Sequence, residues 1–305
     1  MKNKVFGIAL VLSMLFATLI SANTFAATTI TIAPADNTVS LDSGTKRDYA
    51  IKVKNTGVDS VRVRVYAAPY SIPNDNYEID FSTYNQWNQL TNWLTFLDDD
   101  EAEQKELNFT LSGGEDKTLT YIITVPETGI PDGGQYATIF AEANGSKGTT
   151  NGLNVSGRVG ATVYGETDGI SVRSGDILSV DAPTFMTSGK YVVTSRVKND
   201  GNVNLSATRE IKIESLYGQT LHLANDNASV FPGTTRTITT EWKDVPALGV
   251  FRVTYNLYYL GDVKEVSLML VVMPIWMMVV IAAGAVALLG LIVIGIKTLV
   301  KKIRK

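Results

Sequence analysis

The chain has 305 residues, with 27 basic side chains, 30 acidic ones, one histidine and no cysteine. The lack of cysteine excludes disulfide staples and thiolate-bound metals, so each domain must be held together by its own apolar core. A single histidine leaves little material for a histidine-based catalytic triad.

The first 26 residues have the pattern of a secretory signal peptide. Lys2 and Lys4 form a short positive region, and an apolar stretch runs from Val5 to Ile20 before the small-residue cleavage site Thr24-Phe25-Ala26. An apolar stretch of about 16 residues is too short for a membrane span and is typical of a leader that is removed. The sequence therefore predicts export, with the mature protein beginning at residue 27. An exported protein without cysteine favours a bacterial surface.

Residues 27–165 show the alternation of antiparallel β-strands. In Val61-Arg-Val63-Arg-Val65 the charged side chains share one face and the valines the other, which is typical of a half-buried strand. The preceding Asn55-Thr56-Gly57 predicts a tight connection with a positive φ at Gly57. Short strands separated by Gly, Pro and Asn predict an immunoglobulin-like β-sandwich. The predicted strands are Thr29 to Pro34, Tyr49 to Lys54, Val61 to Tyr66, Leu107 to Leu111, Leu119 to Val125, Tyr136 to Ala141 and Asn154 to Tyr164.

Residues 74–97 interrupt this pattern with aromatic side chains set among Asn, Gln and Asp. Such a composition is typical of partner-binding loops, because aromatic rings give a large contact area and lose little entropy. Tyr84 and Trp87 are therefore the candidate partner-binding residues. The alternative is that both rings fold back as a lid over the sandwich core. For Trp93, which leads into Leu94 and Phe96, the sequence predicts a place in the core.

The second half of the chain repeats motifs of the first. Val53-Lys54-Asn55-Thr56-Gly57 recurs as Val197-Lys198-Asn199-Asp200-Gly201, and Gly114-Glu-Asp-Lys-Thr118 recurs as Gly233-Thr-Thr-Arg-Thr237. The repeat predicts a second immunoglobulin-like sandwich at residues 166–272, again with a positive φ at its motif glycine. The first copy is longer by about 24 residues, and this surplus coincides with segment 74–97. Because the second copy closes without it, the surplus is predicted to be dispensable for the sandwich.

Residues 273–296 form an unbroken apolar stretch without a charged side chain. As a helix it would be about 36 Å long, enough to cross a hydrocarbon core of about 30 Å. The tail 297–305 holds five basic residues and no acidic one, which predicts a cytoplasmic location. The sequence therefore predicts a single-pass, type I protein of the plasma membrane, with both sandwiches outside the cell.

The remaining sequence offers little chemistry. His222 stands in an alternating strand, and no phosphate-binding loop or nucleophile elbow is present. The acidic run from Asp98 to Glu103 lacks the spacing of a calcium loop and favours a solvated turn, with calcium binding as the alternative. The part between leader and span carries a net charge of about −10, which disfavours nucleic acid. The prediction is a protein that is not an enzyme, with no cofactor, metal or small-molecule substrate. A carboxylate-based hydrolase is the weakest alternative.

Four stretches of the first sandwich form a further pattern: Trp93 to Phe96, Phe109 to Thr118, Tyr121 to Pro126 and Gly133 to Ile139. In these stretches the first sandwich resembles the bacterial WxL-interacting surface proteins. The plan of leader, two immunoglobulin-like domains, single span and basic tail is also similar. The resemblance implies attachment to peptidoglycan through the first domain and binding of WxL-domain proteins through the second, without assigning binding residues.

These observations predict a non-catalytic, membrane-anchored surface protein. Its expected partners are other cell-surface proteins, with peptidoglycan as a further candidate, and its expected role is attachment or scaffolding. The alternative is a membrane-tethered assembly chaperone for exported subunits that acts by adding a strand to an open sheet edge.

Overall fold

The computed structural model describes residues 30–75, 77–144 and 156–303. The predicted signal peptide lies outside these residues. The described chain forms two β-sandwiches in tandem, followed by one long helix. The predicted all-β class, with two immunoglobulin-like sandwiches and a C-terminal apolar helix, is confirmed. The predicted domain limits at residues 165 and 272 stay predictions.

The first sandwich consists of two five-stranded sheets. Its strands are β1 (Ile30–Ala33), β2 (Asp36–Thr38), β3 (Lys46–Asn55), β4 (Val61–Pro69), β5 (Leu94–Leu97), β6 (Glu103–Gln104), β7 (Glu106–Leu111), β8 (Asp116–Thr124), β9 (Gly134–Asn144) and β10 (Ser156–Glu166). One sheet has the order β1-β3-β8-β5-β6 and the other β2-β10-β9-β4-β7. Each of the seven predicted strands overlaps one of these, because the alternation of apolar and polar residues marks them locally.

The second sandwich has the same strand order without counterparts of β5 and β6. Its strands are β11 (Gly175–Asp181), β12 (Phe185–Met186), β13 (Tyr191–Asn199), β14 (Leu205–Ser215), β15 (Thr220–Val230), β16 (Thr235–Trp242), β17 (Gly249–Tyr259) and β18 (Asp262–Val272). A three-stranded sheet, β11-β13-β16, faces a five-stranded sheet, β12-β18-β17-β14-β15. In both sandwiches the first strand is split, and its second half, β2 or β12, pairs parallel with the last strand of the opposite sheet. The motif repeat in the sequence thus corresponds to a repeat of topology.

Alternating burial holds each sandwich together. Val61, Val63 and Val65 of β4 are buried, whereas Arg62 and Arg64 between them are exposed. Full burial of each valine contributes about 1.5–3 kcal/mol, so one strand face supplies a substantial part of the stability. The second sandwich has a separate core, in which the ring of Trp242 is almost fully buried.

The surplus segment is not dispensable for the first sandwich, so that expectation is wrong. Its C-terminal part forms a short helix, α1 (Leu90–Trp93), and then β5, which adds an edge to the sheet beside β8. Leu90, Leu94 and Phe96 are 0% exposed and belong to the first core. Trp93 is half-buried and packs against the same core, in agreement with its predicted place.

The connection formed by the repeated asparagine motif differs from the predicted left-handed turn in each sandwich. Gly57 and Gly201 do not have positive φ, so the expectation of left-handed turns is wrong. Instead, the buried Asn199 side chain donates hydrogen bonds to the carbonyls of Val203 (2.8 Å) and Val230 (2.7 Å), and its carbonyl accepts the Gly201 N–H (2.9 Å). Asn55 makes the corresponding bonds in the first sandwich. Because the side chain organises the connection, the backbone needs no left-handed residue there.

Position 201 requires glycine because the backbone at Val172 lies very close to it, and not because of a positive φ. A Cβ there would lie 2.2 Å from the Val172 carbonyl oxygen, so Gly201→Ala should lower the free energy of unfolding by about 2 kcal/mol or more. At Gly57 a Cβ would meet only Asn55 Oδ1, at 3.2 Å, and Gly57→Ala should cost less than about 1 kcal/mol. Urea unfolding of residues 27–272 measures both. Equal losses would refute the explanation.

The chain ends in helix α2 (Ile275–Ile303). Residues Ile275–Lys297 have a mean hydropathy of 2.9, and this helix is long and apolar enough to cross a membrane. Its side chains up to Lys297 are almost all exposed, so no described part of either sandwich covers them.

Candidate partner-binding site between the two sandwiches

A cluster of aromatic rings joins the two sandwiches. Phe231, in the turn between β15 and β16, packs against three tyrosines of the first sandwich or its surplus segment. Its ring centroid lies 4.5 Å from that of Tyr136, 5.0 Å from that of Tyr70 and 6.1 Å from that of Tyr77. Each such pair is worth about 0.5–1.5 kcal/mol beyond its buried area. We call this region the junction.

Tyr77 links the surplus segment to the second sandwich. Its hydroxyl accepts the Phe231 N–H at 2.6 Å and lies 3.0 Å from Thr234 Oγ1, while the Arg236 guanidinium lies over its ring at 4.3 Å. The backbone of Tyr77 has a φ of 63°, an unfavourable value that persists only where the surroundings hold it. These contacts with three residues of the second sandwich do so.

Asp75 makes a second link. Its carboxylate pairs with Arg196 at 2.7 Å, and its backbone carbonyl accepts the Thr237 N–H at 3.2 Å. A third link is backbone to backbone, since the Gly134 N–H donates to the Asn202 carbonyl at 2.7 Å. The start of the surplus segment therefore links the two sandwiches, a role that the sequence did not indicate.

The two candidate residues, Tyr84 and Trp87, have different environments. Tyr84 is 55% exposed, so its ring is available to a partner. Trp87 is half-buried at the junction, where it lines a cavity with Phe231 and Gly233, and its carbonyl accepts the Tyr136 N–H at 2.8 Å. Neither residue belongs to the first core cluster.

Phe231 lines two cavities. The Trp87 cavity, of about 400 Å³, also contains Asn85 and Gln86 in its wall. The Arg236 cavity, of about 390 Å³, is also lined by Asp36, Asn204 and Tyr164. These volumes are in the range of sites for a side chain or a small polar group.

The phenol groups of the junction are neutral. Tyr136 is 2% exposed, and its hydroxyl has no hydrogen-bond partner among the described residues. Burial raises the pKa of Tyr136, raises that of Tyr70 to about 12, and raises that of Tyr77. All three phenols therefore stay neutral in the physiological range. Such phenols and rings can recognise apolar rings, amides and hydroxyls. The Arg236 cavity adds two charged groups to its lining, the carboxylate of Asp36 and the guanidinium of Arg236.

The acidic run forms a turn instead of a converging set of ligands. The Asp98 carboxylate accepts the N–H groups of Asp100 (3.0 Å) and Ala102 (2.8 Å) and the side-chain amide of Gln104 (3.0 Å). These bonds hold the pKa of Asp98 below its usual value. Asp99 pairs with Lys117 at 2.8 Å. Within the described residues no group of three His, Cys, Asp or Glu side chains could hold a metal ion, so the geometry does not favour the calcium alternative.

Phe231, Tyr70 and Tyr136 are the residues that sequence reasoning did not single out. Phe231 follows a strand and precedes Pro232-Gly233, a context that indicates only a turn. Only the position of Phe231 in the predicted strand order could have indicated a contact with the first sandwich. The turn after β15 lies at the end of the second sandwich that faces the first.

Comparison with known proteins shows a likeness of fold at low similarity. No family model matches the sequence, and no curated protein matches it. Among solved structures the chain is similar to the YadV chaperone, with a TM-score of 0.40 and 10% identity over 79% of this chain and 99% of that one. It is also similar to the Salmonella enterica SafA pilin in complex with the SafB chaperone (0.40; 11%; 80% and 96%). A third is the CsuC–CsuE chaperone–tip adhesion subunit complex of Acinetobacter baumannii (0.37; 12%; 80% and 99%). At these scores the likeness carries no conclusion about partners.

Proposed function

We propose that this protein is a non-catalytic, membrane-anchored cell-surface protein whose two sandwiches bind other surface proteins. The observation that carries the proposal is the relation between helix α2 and β18. The helix begins at Ile275, only two residues after β18 ends at Val272, and its apolar side chains are exposed. A helix of this length and hydropathy that no described residue covers is explained by a lipid environment.

The charge distribution supports an outward-facing pair of sandwiches. The basic residues after the span are Lys297, Lys301 and Lys302 with Arg304 and Lys305, and the tail has no acidic residue. Positive charge next to a span favours the cytoplasmic side. The sandwiches, on the other side of the helix, then face the exterior.

Lysine labelling tests this orientation. On intact cells stripped of outer layers, a membrane-impermeant amine reagent should modify Lys190, whose side chain is 55% exposed, and should not modify Lys301 or Lys302. The reason is that only one side of the bilayer is accessible to the reagent. Permeabilised cells are the control, in which all three lysines should react. Modification of the tail lysines in intact cells would show that the orientation is the reverse of the one proposed.

The partner-binding surface is proposed to include Tyr84 and the Trp87 cavity. Changing Tyr84 to Ala should weaken the capture of a surface-protein partner by about 2 kcal/mol, as expected for an aromatic anchor. Because this ring is 55% exposed, the melting temperature should barely change. Trp87→Ala should weaken capture as well but should also lower the melting temperature, since its ring lines the junction. Binding is measured by calorimetry with residues 27–272. Unchanged affinity in both variants would place the partner elsewhere.

The resemblance to WxL-interacting proteins leads to a more specific proposal. Under it, residues 27–165 bind peptidoglycan and residues 166–272 bind WxL-domain proteins. Each half, expressed alone, should then sediment with purified sacculi or retain an exported WxL-domain protein, respectively. If both activities belong to one half, the division of roles is wrong.

The alternative, an assembly chaperone acting by strand addition, has one structural observation in its favour. On the side away from β9, β2 pairs only with Thr162, Val163 and Tyr164 of β10, and no described strand pairs there with residues 156–161. An unpaired strand edge can accept an added strand. A complex with an exported subunit should then protect the amides of Arg158 and Gly160 from hydrogen exchange. Protection confined to the junction would favour the adhesion proposal.

A further inference from the structure

The end of the second sandwich next to helix α2 carries a row of exposed apolar side chains. Three of them lie in connections that lead into strands of the β12-β18-β17-β14-β15 sheet and one lies in β12, all at the end of the sheet where β18 ends. Tyr217 is 99% exposed and Leu216 59%, both in the turn between β14 and β15. Leu248, before β17, is 52% exposed, and Phe185 in β12 is 45% exposed.

Strand register places these residues at one end of the sheet. Ser215, the last residue of β14, pairs with Phe251, which pairs with Leu270 of β18. Leu248 directly precedes Gly249, the partner of Val272, and Phe185 pairs with Val271. With strands about 4.8 Å apart, the full width of the five-stranded sheet is about 19 Å. The row extends across this width, with members on both sides of β18, from which the chain continues to the helix.

The connection to the helix is short and ordered. Only Met273 and Pro274 separate β18 from α2, and such a stretch, counted from Val272 to Ile275, spans at most about 10 Å. The Met273 N–H donates to the Met186 carbonyl at 3.0 Å, and the Val271 N–H donates to the Thr184 carbonyl at 2.8 Å. The sandwich therefore cannot stand far from the place where the helix enters the bilayer.

We propose that this row, which we call the membrane-facing rim, docks into the headgroup region of the same bilayer that α2 crosses. The inference rests on the proposed membrane span. The interfacial layer on each side of the hydrocarbon is about 5–8 Å thick, which is comparable to the reach of the connection. Aromatic side chains are enriched in this layer, and Trp276 at the start of the helix has the same character. The rim holds the ectodomain in a defined orientation on the membrane.

The turn at the tip of the rim is well suited to present its two apolar residues. Its backbone is closed by the Ser215 N–H bond to the Gln219 carbonyl (2.8 Å) and by the Gly218 N–H bond to the Ser215 carbonyl (3.0 Å). Gly218 has a φ of 82°, which only glycine adopts readily. Leu216 and Tyr217 are therefore held outward by a tight turn, where they gain nothing from the core of their own sandwich.

Site-directed spin labelling of the full chain tests the proposal, and the natural absence of cysteine allows single labels. The variants Tyr217→Cys and Leu248→Cys report on the rim. Val263→Cys is the matched control, since Val263 is 55% exposed on the same sheet but lies at the far end of β18, about 30 Å away. Ala287→Cys, in the middle of α2, is the reference for lipid. All four are reconstituted in phosphatidylcholine–phosphatidylglycerol vesicles.

The measured quantity is the ratio of collision rates with oxygen, which partitions into lipid, and with a water-soluble nickel chelate. At Tyr217 and Leu248 this ratio should exceed that at Val263 by about threefold or more, as for groups inserted 5–10 Å into the interface. A ratio at the rim equal to that at Val263, with a lipid-like value at Ala287, would overturn the docking and leave the span intact. A water-like value at Ala287 would refute the span and the docking with it.

Discussion

Replacing Gly133 with alanine should open the junction between the sandwiches. Gly133 has a φ of 100°, and a Cβ on it would lie 2.2 Å from the Asn202 carbonyl oxygen of the second sandwich. The left-handed conformation alone costs a non-glycine residue about 1–2 kcal/mol. The overlap adds a larger penalty, because the obstacle is backbone and rotating a side chain does not relieve it; moving one sandwich away from the other does. The same movement would break the Gly134 N–H bond to the Asn202 carbonyl.

Small-angle scattering and calorimetry of residues 27–272 measure this opening. Gly133→Ala should increase the radius of gyration and lower the free energy of unfolding by about 3 kcal/mol or more. Gly129→Ala is the control, since Gly129 has a φ of 77° but no atom within 4 Å of the position that a Cβ would take. It should cost about 1 kcal/mol and leave the scattering profile unchanged. Identical profiles for the two variants would refute a junction held by close backbone approach.

Asn199→Ala should strongly destabilise the second sandwich. It leaves the carbonyls of Val203 and Val230 and the N–H of Gly201 without their partner. All of these groups are buried, and each unsatisfied one costs about 1–3 kcal/mol, so the expected loss is about 3–5 kcal/mol. Amide hydrogen exchange should quicken throughout β13 and β16.

The repeat supplies the matched control, Asn55→Ala. Two of the carbonyls that Asn55 bonds, those of Asp59 and Ser112, are only partly buried, so water can replace the lost donor. Its loss should be smaller, about 2 kcal/mol, and confined to the first sandwich. Urea unfolding measures both variants. A larger loss at Asn55 than at Asn199 would contradict the role of burial.

Several features of the fold were predictable because their signal is local. The alternation of Val61, Val63 and Val65 with arginines identifies a half-buried strand without any knowledge of its neighbours. Because a strand of this kind must bury one face, a series of them implies a sandwich. The motif shared by Asn55 and Asn199 revealed the repeat for the same reason, since a short sequence pattern suffices to recognise it.

The candidate site was only partly predictable. The composition of segment 74–97 indicated recognition, and Tyr84 is exposed as that interpretation requires. The segment nevertheless divides into three parts: a link to the second sandwich at Asp75 and Tyr77, a cavity wall at Trp87 and a core element at Leu90 to Leu97. The leucines of the core element set it apart in the sequence. The link and the cavity wall have similar mixtures of aromatic and polar residues, so composition cannot separate those two.

By itself the sequence determined the class of fold, the order of the strands along the chain and the one long apolar helix, because side-chain periodicity and hydropathy are properties of contiguous residues. Only the tertiary structure decided which side chains meet at the junction. Tyr77 binds Phe231 across 154 residues of chain, and Gly133 faces Asn202 across the boundary of two sandwiches. Such contacts depend on how two finished units dock, and docking is governed by shape and by unpaired backbone groups at loop tips, which leave no periodic trace in the sequence.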